Sequence, residues 1–152
     1  MRVERIVKPS FCVIGKEGST ADGPGVVQRL WNEAESHFAQ VRAFAVEKGG
    51  RPAACWGLMS DFSRRFLPWE EGYSKGLYLA GVESRADAAA EGWTVWTAPG
   101  AEYVRIACEN GYPFQEGLRY LRENGLTLAG AAYDHTDLLT GERYLYFPIK
   151  RL

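Results

Sequence analysis

The residues of this chain best suited to chemistry are carboxylates set among tyrosines. In Arg143–Ile149, strand alternation puts Tyr144 and Tyr146 on one side and Leu145, Phe147 and Ile149 on the other. A strand that starts at Glu142 adds that carboxylate to the tyrosine side. An acid beside two phenols suits a flat cation, which the rings attract through their faces and the carboxylate neutralises. The same group suits attack on a strained electrophile, with Glu142 activating water and the Tyr144 hydroxyl donating to the developing anion. The plainer reading makes Glu142 a solvated hairpin residue paired with Arg143 or Lys150. Glu83 is a second candidate acid, because a charge inside the apolar run Gly76–Ser84 needs a partner or a shifted pKa.

Five Trp, eight Tyr and seven Phe must also be housed. Such rings are costly to leave in water, so they build a large core, a pocket, or both. Trp31 lies on a helical stripe and is a core anchor or a pocket wall. Trp56 is equally a pocket or a core residue. Trp69, beside Pro68, Glu70 and Glu71, is either a lid over a cleft or a clamp on the end of a sheet. Asp61 and Asp134 read as strand ends that cap turns, and His135, with no evident partner, as a surface residue. No Ser-His or Cys-His arrangement is visible, and the glycines near residues 15–25 do not match a phosphate-binding loop. Neither histidine has a nearby Cys or His partner, so neither metal nor cofactor is expected.

Composition excludes further classes. A net charge of −1 with no basic face argues against direct nucleic-acid binding. The absence of a long apolar run argues against a membrane span. The first eight residues alternate charged and apolar types, unlike a signal peptide. Cys12, Cys55 and Cys108 are widely spaced within apolar runs and read as small buried residues in a reducing cytoplasm. The length of 152 residues fits a single domain without a disulfide or metal staple.

These residues must be positioned by elements legible in the pattern. An extended segment over 3–17 breaks near Pro9. Val27, Leu30, Trp31, Ala34, Phe38, Val41 and Ala45 then make one apolar stripe, predicting a single long helix stopped at Gly49-Gly50. Strands follow at 53–61 and 76–84, and extended chain at 93–109, interrupted by Pro99-Gly100. Pro113 opens a second helix that closes at Asn124-Gly125, and strands at 126–137 and 143–151 complete the chain. Strand, helix, strand, strand therefore occurs twice, an α+β arrangement with helices on one face. Cys55–Asp61 and Leu128–Asp134 share a Gly and an Asp at the same spacing, an echo of duplication that makes Tyr103 and Tyr133 pocket candidates by symmetry.

The run Tyr78-Leu79-Ala80-Gly81-Val82-Glu83, then Gly92-Trp93 and Pro99-Gly100-Ala101-Glu102-Tyr103, resembles the GyrI-like family, the effector-binding domain of bacterial multidrug-responsive activators. Leu30-Trp31 and Tyr146-Phe147-Pro148-Ile149 also match. The resemblance covers nearly the whole chain. It implies one domain of two modules, about 1–84 and 93–152, with an antiparallel sheet and a ligand cleft between them. The implied ligands are hydrophobic or cationic small molecules. Some relatives are linked to hydrolysis of cyclopropane-bearing alkylating compounds, and others to topoisomerase modulation, which implies a topoisomerase or regulator as an alternative partner. Two features depart from the regulators. No helix-turn-helix segment is present, and the acid that regulators place two residues before the last strand's final Tyr falls on Tyr144, leaving Glu142 to serve.

Overall fold

The computed structural model describes residues 1–152. Its core is one eight-stranded antiparallel sheet, formed by β1 (Val3–Lys8), β2 (Phe11–Ser19), β5 (Ala54–Ser60), β6 (Leu77–Ser84), β7 (Thr94–Ala98), β8 (Ala101–Ala107), β9 (Tyr133–Asp137) and β10 (Arg143–Arg151). A separate short hairpin, β3 (Glu47–Lys48) and β4 (Arg51–Pro52), turns at Gly49-Gly50. The order in the main sheet is β1-β8-β10-β9-β5-β6-β2-β7. Helices α1 (Val26–Ser36) and α3 (Phe114–Glu123) are the substantial ones, and α2 (Glu70–Tyr73) is a distorted single turn.

The sheet curls until its ends meet. β1 pairs with β8 and β2 pairs with β7, and partner numbers add to the same total in both ladders: Lys8 faces Ala101 and Phe11 faces Ala98. One continuous two-stranded ribbon thus bends at Pro9-Ser10 and Pro99-Gly100, and its halves join opposite ends of the sheet. Proline withholds a ladder donor at the bend. A Cβ on Gly100 would stand 2.9 Å from the Ser10 nitrogen, so glycine lets the two strands cross closely there.

Curling separates the side chains into an inner and an outer set. The inner face holds a cluster of sixteen buried residues, among them Phe11, Trp56, Leu79, Trp96, Tyr103 and Tyr133. Outside, α1 packs its Val26, Leu30 and Ala34 against Tyr78 and Ala80. α3 sets Leu121 against Val104, Leu145 and Phe147.

Two expectations change. The predicted long helix ends at Ser36, where the Ser36 hydroxyl donates to the Asn32 carbonyl and the His37 ring engages that of Glu33. Side chains that compete for the last carbonyls disfavour further α-turns. The chain continues as 3-10 turns at Phe38–Gln40 and Arg42–Phe44, which still deliver Val41 and Ala45 to the core. The strand predicted over 126–137 joins the ladder only from Tyr133, because the backbone before it is drawn aside by bonds from Ala129 to Pro148 and Ala131 to Phe66.

The packing of α3 gives a first test. A Cβ on Gly117 would lie 2.2 Å from the buried Phe147 ring. Gly117→Ala should destabilise the protein by about 1–3 kcal/mol despite alanine's better helix propensity, measured by urea unfolding. An unchanged midpoint would show that α3 rides higher than described.

Candidate functional site

The inner face gathers most of the residues singled out from the sequence. Trp56, Tyr103, Tyr133, Tyr144 and Tyr146 all belong to its cluster, each no more than 8% exposed. Their rings pack edge to face or tilted, with Trp56 4.8 Å from Tyr146 and Tyr103 5.4 Å from Tyr146. Glu83 points into the same interior and accepts from the Trp56 indole at 2.8 Å. The Lys8 ammonium lies 3.3 Å from that carboxylate and 4.6 Å from the centre of the Phe11 ring. Arg105 lies over the Tyr144 ring at 4.3 Å, donates to the Tyr146 hydroxyl and pairs with Glu4. Glu142 stands at the rim, half exposed, accepting from the Tyr144 hydroxyl and pairing with Arg2 at 3.0 Å. The Tyr144 bond, with Arg2 behind it, holds the Glu142 carboxyl below its ordinary pKa. Every charge named on this face has its counter-charge within the protein, and the rings fill the space between.

The larger open space lies on the outer face, over the central strands β5 and β9 and beside α1, while a cavity of about 180 Å³ lies beside Ser60, Phe66 and Trp96 at the edge of the inner cluster. A cavity of about 310 Å³ is walled by Trp31 and Glu35 from α1, Cys55 from β5, and Cys108, Tyr112 and Arg143 from the second half, with Asp134 at its floor. Trp31, Glu35 and Cys55 also line a neighbouring cavity of about 380 Å³ that runs under α1 to Phe38 and Trp93. Both fall within the range of small-molecule pockets.

Asp134 is the residue that sets the chemistry here. It was expected to end a strand and cap a turn, but it sits inside β9 opposite Gly57. Alternation turns its side chain outward, away from Tyr133 and His135. One carboxylate oxygen accepts from the Tyr78 hydroxyl at 2.7 Å, and that hydroxyl accepts from the Trp31 indole at 3.0 Å. The other oxygen is sealed from solvent and has no partner. A Cβ on Gly57 would fall 1.9 Å from the Tyr78 oxygen, so the bare strand makes room for this pair. Burial raises the Asp134 pKa, opposed first by the Tyr78 hydrogen bond, then by the Tyr112 hydroxyl, which lies nearby without making a hydrogen bond, and by Arg143. The Tyr78 phenol is itself pushed well up by burial, so it remains a donor. Burial, with Glu35 adding to it, lifts the Cys55 thiol to about 11, so it stays un-ionised and weakly nucleophilic.

The remaining candidates are dispersed. Of the aromatic residues expected at the site, Trp31 and Tyr144 line this cleft. Trp69 is on the outer side, lining a smaller apolar cavity with Tyr112, its indole donating to the Leu77 carbonyl at 2.9 Å and its ring near Tyr78. His135, expected at the surface, is instead partly buried with its ring 4.4 Å from Trp56 and 5.1 Å from Tyr146. Two residues after Tyr133 on one strand, it shares that residue's face, a signal present in the sequence. Asp134, Tyr78 and Tyr112 were missed because their partners lie on three different segments. No group of three or more His, Cys, Asp or Glu side chains is placed to hold a metal.

The fold has counterparts among solved structures. SAV2435, solved bound to tetraphenylphosphonium, matches with a TM-score of 0.66 at 17% identity, over 99% of this chain and 94% of that one. The EcmrR C-terminal domain gives 0.66 at 12% identity, over 99% and 98%. A transcription regulation protein of Staphylococcus aureus MU50 gives 0.64 at 15% identity, over 99% of each chain. The chain has the GyrI-like fold. No protein-family model and no curated protein matches the sequence.

The buried histidine supplies a second test. Burial drives the His135 pKa from about 6.5 down to about 4, with Nδ1 unpartnered. The native protein therefore takes up this proton later than the unfolded chain does. The stability at stake is intact above the unfolded value and is lost as pH falls from 6.5 towards 4, on the order of 3 kcal/mol in all. His135→Phe should remove most of that slope in urea unfolding across this window. Equal slopes for the two proteins would refute the assignment.

Proposed function

We propose that this protein binds small hydrophobic cations, flat or aromatic in character, in the outer cleft between its two halves, with Asp134 as the counter-charge. The observation that carries this reading is the sealed Asp134 carboxylate with one oxygen unpartnered. A buried, unpaired carboxylate oxygen is costly, and the fold keeps it at the floor of a cavity walled by aromatic rings. An entering cation would gain both the carboxylate and the faces of Trp31 and Tyr112. Tyr78 fixes the carboxylate's orientation, and Gly57 leaves the space it needs. That SAV2435 was solved with a lipophilic aromatic cation supports the same ligand class. The cleft would lie between module one, about 1–84, and module two, about 93–152.

Binding without turnover is the reading we favour over hydrolysis of cyclopropane-bearing electrophiles. Glu83 is engaged by Lys8 and Trp56, and Glu142 by Arg2 and Tyr144, so neither is a free base. No helix is long and apolar enough to cross a membrane, and the three thiols are unpaired; we assign the protein to the cytoplasm.

Calorimetric titration with tetraphenylphosphonium tests the assignment. Wild type should bind, and Asp134→Asn should bind at least about tenfold more weakly, since opposite charges about 6 Å apart attract by on the order of 2–3 kcal/mol at an effective dielectric of about 20. The same variant should melt no lower than wild type, because the amide still accepts from Tyr78 while the buried charge is gone. Because the Asp134 pKa is raised, affinity should fall on acidification before the ordinary carboxylate range is reached. Equal affinity in the two proteins, or none in wild type, would overturn the proposal.

A further inference from the structure

We infer that the ligand site is two-lobed and selects elongated dications over single cations, with Glu35 as the second counter-charge. This rests on the Asp134 cleft being the ligand site. The two outer cavities, about 310 and about 380 Å³, are neighbours that share Trp31, Glu35, Cys55 and Leu138. The first is polar at its floor, where Asp134 waits with an unpartnered oxygen. The second is mainly apolar, lined by Phe38, Val41, Val82 and Trp93, with Glu35 and Arg51 as its charged side chains.

Glu35 projects from α1 where the two lobes join. It takes part in no ion pair and no hydrogen bond, although its neighbour Glu33 is engaged by Lys16. Its negative charge bears on the cleft, since it adds to the upward shift of the Cys55 thiol. A ligand with one cationic ring against Asp134 would leave the second lobe to water. A ligand with two flat cationic heads on a flexible spacer would meet both carboxylates. Its second ring would bury itself against Phe38 and Trp93, and its spacer would pass Trp31. Amidinium heads suit both ends, because their planar paired N–H groups match a carboxylate as a fork.

The test uses propamidine, two benzamidinium rings joined by a short diether chain, and its single-ring half, 4-methoxybenzamidine. Each is titrated calorimetrically into the intact protein. Wild type should bind propamidine at least about thirtyfold more tightly than the half, because burial of a second ring is worth about tenfold and pairing of its head with Glu35 adds a few-fold more. Glu35→Gln, an exposed helix substitution that leaves folding intact, should lower the ratio a few-fold, to about the tenfold that ring burial gives, whereas Asp134→Asn should weaken both probes. Equal binding of the two probes by wild type, or a ratio unmoved in Glu35→Gln, overturns the two-lobed site and leaves the Asp134 assignment standing. Failure of both probes to bind wild type overturns both.

Discussion

The closure of the sheet by its bent ribbon is the constraint on which the rest depends. Because β1 and β2 are halves of one strand, and β7 and β8 halves of another, the sheet ends are tied together at Pro9-Ser10 and Pro99-Gly100. A tied sheet has an inside. The aromatic residues of alternate strand positions are consumed there, packed as tightly as a protein interior requires. The larger cavities are left on the outer face, where the helices stand apart over β5 and β9. Closure thus decides which face can bind before any particular residue does.

Polar groups are treated differently on the two faces. Inside, Glu83, Lys8, Arg105 and Glu4 neutralise one another, which limits the cost of placing charge among rings. Outside, Asp134 is half-satisfied. Tyr78 gives it one strong hydrogen bond and orients it, yet nothing completes its shell. Stability alone would favour an amide at this position. A carboxylate retained against that gradient is the kind of local conflict that marks sites kept for binding.

Much of the architecture was legible from pattern. Tyr78 to Glu83 and Arg143 to Arg151 alternate as strands, Pro113 opens a helix, and Pro99-Gly100 breaks an extended run; each is a local steric or hydrogen-bonding preference that needs no distant partner. The long first helix was over-read because its apolar stripe continues through the 3-10 turns, and a stripe reports which side is buried rather than which hydrogen bonds are made. His135 was within reach of the same alternation that placed Tyr133.

The sequence by itself determined the elements, the α+β class, and the fact that tyrosines and an acid share faces of the final strands. It could not determine which face becomes a filled interior, because alternation is symmetric about the strand and only closure breaks that symmetry. It therefore pointed to Glu142, Tyr144 and Tyr146, whose face curls inward. Asp134 gains its meaning from Tyr78 on β6, Trp31 on α1 and Gly57 on β5, groups brought within hydrogen-bonding distance or steric contact only by tertiary packing. A carboxylate's environment, rather than its place in the chain, decides whether it is a cap, an ion pair or a binding group.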